Sequence, residues 1–231
     1  DYSSVWICLG VMPNNYVLED TFGSHKDSLV VDSLISYLVN HNGKICLEGG
    51  DTWAWDKPTV LHPYFSILGQ LDGSSIDGVL GRATTFTEGM DFDYTGENSV
   101  LDDIAPAGAS ILVFVGGGAS SHGLGVAYDA GAGLYKPVGF SFEFGGLVNG
   151  SEPTRKATLA DSIMHFFGIY PPPPPNWDAG ILSILNPDTP YVEPWAGLNP
   201  AATVKNWGLN PATFEAWCEI DSEGTTLYQA F

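Results

Sequence analysis

The sequence predicts an α/β domain, built as three layers around a mixed sheet, followed by part of an all-β sandwich. Near the start, two short apolar runs flank a segment with helical spacing, which is the pattern of a β-α-β unit. Five consecutive prolines, 171–175, precede a region in which apolar and polar residues alternate. A polyproline run is stiff and extended, so it predicts a linker. We therefore predict domains over 1–169 and 176–231, joined by a linker over 170–175.

The β-α-β unit is the most sharply patterned part of the chain. Val5–Val11 and Lys44–Leu47 are short apolar runs of the kind found in strands buried on both faces. Between them, Leu34 and Leu38 belong to a helical stripe that runs to residue 40, and Ser24 is a suitable cap. Because a crossover helix joins parallel strands, we expect the two strands to be adjacent and parallel.

The rest of the α/β domain is predicted to be mostly strands. Three further apolar runs are strand candidates: 111–115, 125–129 and 138–144. A glycine-containing turn joins the last two as a hairpin. Ser151 is predicted to cap a final helix that has Pro153 in its first turn and Gly168 at its end. Residues 50–107 have many turn formers, and there the alternation at Phe92 and the strand-like residues 84–87 are the only signs of strands.

The region after the prolines has period-two patterning. Four strands are predicted, at 181–185, 201–205, 214–220 and 226–231. An immunoglobulin-like sandwich needs about seven strands and about 100 residues, whereas 176–231 holds 56 residues. The second domain is therefore expected to be incomplete. An open strand edge is a template for another strand, so we expect 225–231 to pair with a second copy or with a partner's strand.

Composition excludes several classes of protein. The 27 acidic and 8 basic residues give a net charge of −19, which disfavours binding to nucleic acid and to anionic lipid. The sequence has no run of about 18 apolar residues, so no membrane span is expected. Three cysteines are too few for a disulfide scaffold.

Four motifs carry a resemblance to a known family. They are KICLEGGDTW at 44–53, FTEGM at 86–90, AYDAG at 127–131 and GFSFEFGGL at 139–147. Together they resemble a module of large secreted bacterial proteins, some similar to immune-inhibitor-A-type metallopeptidases and some carrying type IX sorting signals. That module is similar to the class I glutamine amidotransferase-like fold, which implies a flavodoxin-like three-layer sandwich. The resemblance also implies an extracellular or cell-surface location.

The later region resembles extracellular immunoglobulin-like repeats of the cell-adhesion type. DAGILSI at 178–184 and PAATVKNWG at 200–208 carry this likeness. It implies that the chain is an accessory part of a larger exported protein.

Amidotransferase chemistry is not expected, because its groups are missing. The strand that ends at Leu47 continues into Glu48 and Asp51 without a serine or cysteine nucleophile. Where the family has His-x-Glu, this chain has Ser141 and Glu143 with a phenylalanine between them. A serine beside a histidine, at Ser121–His122, lies in a glycine-rich stretch that is more typical of a turn.

Aromatic and ionisable residues cluster after the second predicted strand. The candidate ligand-binding residues are Glu48, Asp51, Trp53, Trp55, Asp56 and His62. Open α/β sheets bind ligands beyond the carboxyl ends of their strands. Tryptophans with flanking carboxylates suit a glycan or a protein ligand, and paired carboxylates suit glycoside hydrolysis. The alternative is that both tryptophans pack under the loop.

A calcium site is the other chemical candidate. Asp91, Asp93 and Asp102 partly match an EF-hand loop, but Thr95 stands where that loop needs Asp or Asn. An EF-hand is therefore not expected, and calcium in another acidic loop stays open; no other cofactor is predicted.

The function predicted from these patterns is a non-catalytic extracellular module for binding, adhesion or spacing. One alternative is a glycan- or peptide-directed hydrolase with its site in the 48–62 loop. Another is a structural subunit that assembles by strand addition.

Overall fold

In the computed structural model, the described residues are 2–11, 16–18, 28–117, 122–170, 176, 178–186, 201–211, 213, 218–222 and 225–230. They belong to two compact units, Asp1–Tyr170 and Pro171–Phe231. The predicted linker prolines 171–175, the capping residue Ser24 and residues 214–217 of a predicted strand lie outside the described residues.

The first unit combines strands with a few helices. In chain order its elements are β1 (Val5–Cys8), α1 (Ser28–His41), β2 (Lys44–Glu48), α2 (His62–Phe65), β3 (Ile67–Ser74), β4 (Gly78–Gly81), β5 (Asp91–Asp93), β6 (Leu101–Pro106), β7 (Ile111–Gly116), β8 (Gly123–Ala127), β9 (Lys136–Phe140) and α3 (Lys156–Phe166). A single 3-10 turn, Phe144–Gly146, lies between β9 and α3.

A seven-stranded mixed sheet organises this unit, with the strand order β1-β2-β9-β8-β7-β4-β5. Strands β1, β2 and β9 run parallel, and the remaining neighbours are antiparallel. Val5 pairs with Ile45 and Cys8 with Glu48, which confirms the predicted parallel pair around a helix. The predicted strands at 111–115, 125–129 and 138–144 correspond to β7, β8 and β9, and β8 and β9 form the predicted antiparallel pair.

Apolar side chains cover both faces of the sheet, as alternation along β2 shows. Ile45 and Leu47 pack in a core with Leu38 of α1. Cys46, which points to the opposite face, packs in a second core with Ile163 of α3. Strand β2 is buried along its length because each face is covered.

The prediction of a helix-flanked, flavodoxin-like sandwich is wrong. The sheet curls into a mixed half-barrel, and each of the two cores contains one helix longer than two turns among the described residues. Antiparallel strands need no crossover helix, so the β7-β8-β9 run brings none. Residues 50–107, which showed little periodicity, instead form β3, β4, β5 and β6.

A two-stranded ribbon, β3–β6, packs on the sheet in place of a further helix. Ile104 of β6 lies in the same core as Leu38. The ribbon approaches closely at Gly123 of β8, where a Cβ atom would overlap the carbonyl oxygen of Ile104. Glycine is required at this position by the close approach of two backbones.

Two local predictions also differ from the structure. Helix α3 begins at Lys156 rather than at the predicted cap Ser151, because Gly150 and Thr154 first form a turn closed by backbone hydrogen bonds. The glycine at its end, Gly168, has φ 75, as predicted for a helix terminator. Residues 84–87 resembled a strand but form turns.

The second unit contains β10 (Ala179–Asn186), β11 (Ala201–Asn206), β12 (Cys218–Ser222) and β13 (Thr225–Ala230). Over the described residues these strands form two separate antiparallel pairs, β10–β11 and β12–β13. The prediction of a partial immunoglobulin-like sandwich is therefore wrong for this part of the chain. Period-two patterning is equally compatible with isolated strand pairs, since it reports a strand and not its neighbours.

Candidate functional site

The tryptophan loop, residues 49–62, connects β2 to α2. Trp53 is 6% exposed, and its indole ring packs 5.2 Å from the Phe65 ring and 5.6 Å from the His62 ring, measured between centroids. Its Nε1–H donates to the carbonyl oxygen of Phe140 at 2.9 Å. Trp53 is therefore a core residue with its one polar atom satisfied.

Asp102 of β6 fixes the backbone of this loop by hydrogen bonds. Its Oδ2 accepts hydrogen bonds from the backbone N–H groups of Trp53, at 2.7 Å, and Ala54, at 2.8 Å. The other carboxylate oxygen, Oδ1, is buried and has no hydrogen-bond partner among the described residues. Burial raises the pKa of Asp102 to about 7, against the opposing effect of the two N–H donors, and the charges of Asp51 and Asp72 raise it further.

His62 closes the far end of the loop. Its Nδ1 accepts from the backbone N–H of Thr59 at 2.9 Å. Its Nε2 lies 2.7 Å from the carbonyl oxygen of Thr52, so this nitrogen carries the proton. Both ring nitrogens are occupied in fixing the backbone, and His62 is therefore a positioning residue for the loop.

Trp55 and Asp56 are placed differently from Trp53. The Trp55 side chain is 68% exposed. Asp56 is half-buried, and its backbone N–H donates to the carbonyl oxygen of Asp51 at 2.7 Å. Burial and the nearby charge of Asp51 raise the pKa of Asp56 to about 6. The loop thus presents one large exposed aromatic side chain, Trp55, next to the half-buried carboxyl group of Asp56.

Glu48 faces a different set of residues. Its Oε2 accepts from the backbone N–H of Phe144 at 2.6 Å. Burial raises the pKa of Glu48, while bonds from Phe144 and Cys8 oppose the rise. Burial, together with the charge of Glu48, raises the pKa of Cys8 to about 11. The Cys8 thiol is therefore protonated near neutral pH, which is unfavourable for a nucleophile.

The predicted calcium ligands are not brought together. Asp91 and Asp93 are exposed on β5 in the seven-stranded sheet, whereas Asp102 lies on β6 and bonds the tryptophan loop. Among the described residues, no group of three or more His, Cys, Asp or Glu side chains is placed to hold a metal ion.

The residues considered for amidotransferase-like chemistry are also scattered. Ser141 is buried, and its hydroxyl lies 3.5 Å from the carbonyl oxygen of Leu124. Glu143 accepts a hydrogen bond from the backbone N–H of Glu97. The Nδ1 atom of His122 lies 3.0 Å from an Asp103 carboxylate oxygen, and the sequence neighbour Ser121 is outside the described residues.

Sequence reasoning considered Asp102 only as a candidate calcium ligand and missed its role in the loop. The hydrogen bonds to Trp53 and Ala54 span 49 and 48 residues. No local pattern signals such a contact, because it depends on how the β3–β6 ribbon packs.

Comparison with known proteins finds little similarity to this chain. No protein-family profile matches the chain, and no curated protein matches it. A solved structure described as the mmIFT52 N-terminal domain matches with a TM-score of 0.47 and 13% identity, covering 74% of this chain and 79% of that one. Such a loose superposition at this identity transfers no activity or partner.

The assignment to secreted bacterial modules with an amidotransferase-like domain is therefore wrong. The extracellular or cell-surface location was inferred from that assignment and is overturned with it. Among the described helices, none is long and apolar enough to cross a lipid bilayer.

Proposed function

We propose that this chain is a non-catalytic binding module for another protein, and that the tryptophan loop is its contact surface. The observation that carries the proposal is the contrast between two neighbouring tryptophans. Trp53 anchors the loop in the core, whereas Trp55, two residues further along the chain, is 68% exposed. Large aromatic side chains on a rigid backbone are the usual anchors of protein interfaces, because little conformational entropy is lost on binding.

The loop is rigid because its backbone is bonded at several points. Asp102 binds the N–H groups of residues 53 and 54, and His62 binds residues 52 and 59. The Trp53 indole adds a bond to β9. The loop conformation is therefore set before any ligand arrives.

A hydrolase in the 48–62 loop is less well supported. Glu48 is 9% exposed, Asp51 is 2% exposed and Asp102 is fully buried. Glu48 and Asp102 accept hydrogen bonds from backbone N–H groups, which are structural tasks. A glycosidase needs two accessible carboxyl groups on either side of the scissile bond.

The binding function is tested by comparing three immobilised proteins: the wild type, Trp55→Ala and Val39→Ala. Val39 lies on α1 and is 44% exposed, so it is a matched control for removal of an exposed apolar side chain. Proteins retained from an extract of the source cells are quantified by mass spectrometry, and direct binding is then measured by calorimetry with the purified candidate. We expect a protein that the wild type and Val39→Ala retain and that Trp55→Ala loses by at least about ten-fold, equivalent to about 1.4 kcal/mol.

Two results would contradict the proposal. One is the absence of any protein whose direct binding depends on Trp55. The other is turnover of a glycan or peptide substrate that Asp56→Asn abolishes, which would favour the hydrolase.

A further inference from the structure

The surroundings of the tryptophan loop are negatively charged. Asp102 bonds the backbone of Trp53 and Ala54, and the β3–β6 register, which pairs Leu71 with Asp103 and Ser74 with Leu101, places Asp72 beside Asp102. The charges of Asp51 and Asp72 raise the pKa of Asp102, and the charge of Asp51 also raises that of Asp56. Contacts with basic side chains among the described residues involve other carboxylates: Asp103, Asp129, Glu152 and Asp161. The buried Oδ1 of Asp102 also lacks a partner there. The described residues therefore leave the carboxylates of Asp56 and Asp72 without a paired cation.

The exposed face of Trp55 is also open to a cation. In the described part of the chain, lysines lie over the rings of Phe166 and Trp207. The loop's own cation, Lys57, is exposed and does not lie over Trp55. An indole ring is the best aromatic partner for a cation placed over its face.

We propose that Trp55 receives an arginine side chain from a segment of a partner protein, with the guanidinium stacked on the indole and facing Asp56 and Asp72. This inference rests on the proposed binding function and names the chemistry of the partner. The net charge of −19 favours a cationic partner at long range. Arginine fits better than lysine because its planar group stacks on an aromatic face and donates in the same plane to carboxylates. A neutral glycan would stack on Trp55 but would leave the carboxylate charge uncompensated.

The test uses two fluorescein-labelled peptides of about ten residues, one alternating glycine with arginine and one alternating glycine with lysine. Both carry the same charge, so any difference in affinity reports the guanidinium and not the net charge of the protein. Affinity is measured by fluorescence anisotropy for the full chain, and the site is mapped by ¹⁵N NMR. We expect the arginine peptide to bind about five-fold more tightly and to shift the Trp55 indole resonance, as a cation–π contact of ordinary strength would.

Four variants separate the contribution of the Trp55 ring to peptide binding from that of the nearby carboxylate charge. Trp55→Leu keeps an apolar side chain but removes the aromatic face, and it should abolish the difference between the peptides. Asp56→Asn should weaken the arginine peptide several-fold and reduce its salt dependence. Asp91→Asn, an exposed aspartate of β5, and Leu71→Ser, an exposed residue of β3, are controls that should leave both affinities unchanged.

Equal affinity for the two peptides, or resonance shifts spread over the surface and insensitive to Trp55→Leu, would overturn the arginine assignment. So would a failure of both peptides to bind. If a protein from the extract still depends on Trp55 in those cases, the proposed function stands and only the partner chemistry is wrong. If neither the peptides nor any protein depends on Trp55, both proposals fail. Trp55-dependent binding on a glycan array would replace the protein partner with a sugar.

Discussion

Removing the charge of Asp102 should change how the stability of the first unit depends on pH. Asp102 is fully buried, its Oδ2 accepts two backbone N–H groups and its Oδ1 has no described partner. Its pKa is raised from 3.8 to about 7 in the folded chain. Asp102→Asn keeps an acceptor for the two N–H groups but cannot become charged.

The magnitude follows from proton linkage. Between about pH 4 and pH 7 the folded state keeps the Asp102 proton and the unfolded state has lost it, so the free energy of unfolding falls as pH rises through this range. Each pKa unit corresponds to about 1.4 kcal/mol. The difference between 3.8 and about 7 therefore costs the wild type about 4 kcal/mol by pH 8.

The assay is urea unfolding at pH values from 4 to 8. Unfolding is monitored by pulsed hydrogen-exchange mass spectrometry of peptides from the first unit. Unfolding of the second unit then does not contribute. We expect the stability of Asp102→Asn, relative to the wild type, to rise by about 4 kcal/mol across this range. Glu48 and Asp56 also have raised pKa values, but both proteins contain them and their effects cancel.

Asp91→Asn is the matched control, because Asp91 is exposed on β5. Its stability relative to the wild type should stay constant with pH to within about 0.5 kcal/mol. A relative stability of Asp102→Asn that is equally independent of pH would refute the reasoning. It would mean that Asp102 titrates near its ordinary value and that its Oδ1 is solvated.

The remaining predictions concern packing and assembly. Trp53→Ala should destabilise the first unit by about 3–5 kcal/mol, and Trp55→Ala by less than about 0.5 kcal/mol, in the same unfolding assay; equal losses would contradict the assignment of one ring to the core. Gly123→Ala should cost at least about 1–3 kcal/mol because its Cβ would overlap a backbone carbonyl of β6, whereas Gly145→Ala, where a Cβ meets nothing within 4 Å, should be nearly neutral. Strand β13, Thr225–Ala230, pairs only with β12 among the described residues, so we expect self-association that deletion of this strand abolishes; sedimentation that shows a monomer at high concentration would count against it.

The β1-α1-β2 unit could be predicted from the sequence because its information is local. Continuous apolar runs and helical spacing within a few residues identify the strands and the helix, and the parallel pairing of Val5 with Ile45 follows from the connecting helix. The pair β8 and β9 was predictable for the same reason, since a short turn joins two apolar runs. These elements are determined by neighbours along the chain. The predicted burial of β1 on both faces is wrong, because β1 is an edge strand with Trp6 and Cys8 exposed.

The β3–β6 ribbon was not predictable from periodicity. Its register shifts between Gly69 and Leu71, and again between Leu71 and Ser74, so alternation along β3 is interrupted. A bulge moves the following side chains to the other face, which hides the period of two. Because the sequence analysis did not predict the ribbon, it favoured a helical layer that the structure does not form.

The candidate site shows the same difference between what the local sequence determines and what tertiary packing determines. The sequence alone placed aromatic and acidic residues after a buried strand, but it could not distinguish Trp53 from Trp55. The tertiary structure decides, because the missing side chain at Gly139 of β9 leaves the space that the Trp53 indole occupies, and Asp102 binds the backbone beside it. Both contacts join residues more than 45 positions apart, and their partners are set by how the ribbon and sheet pack. The local sequence shows only that two tryptophans are present. Tertiary packing decides which of them is buried, because only one of the two positions lies next to a space of the right shape.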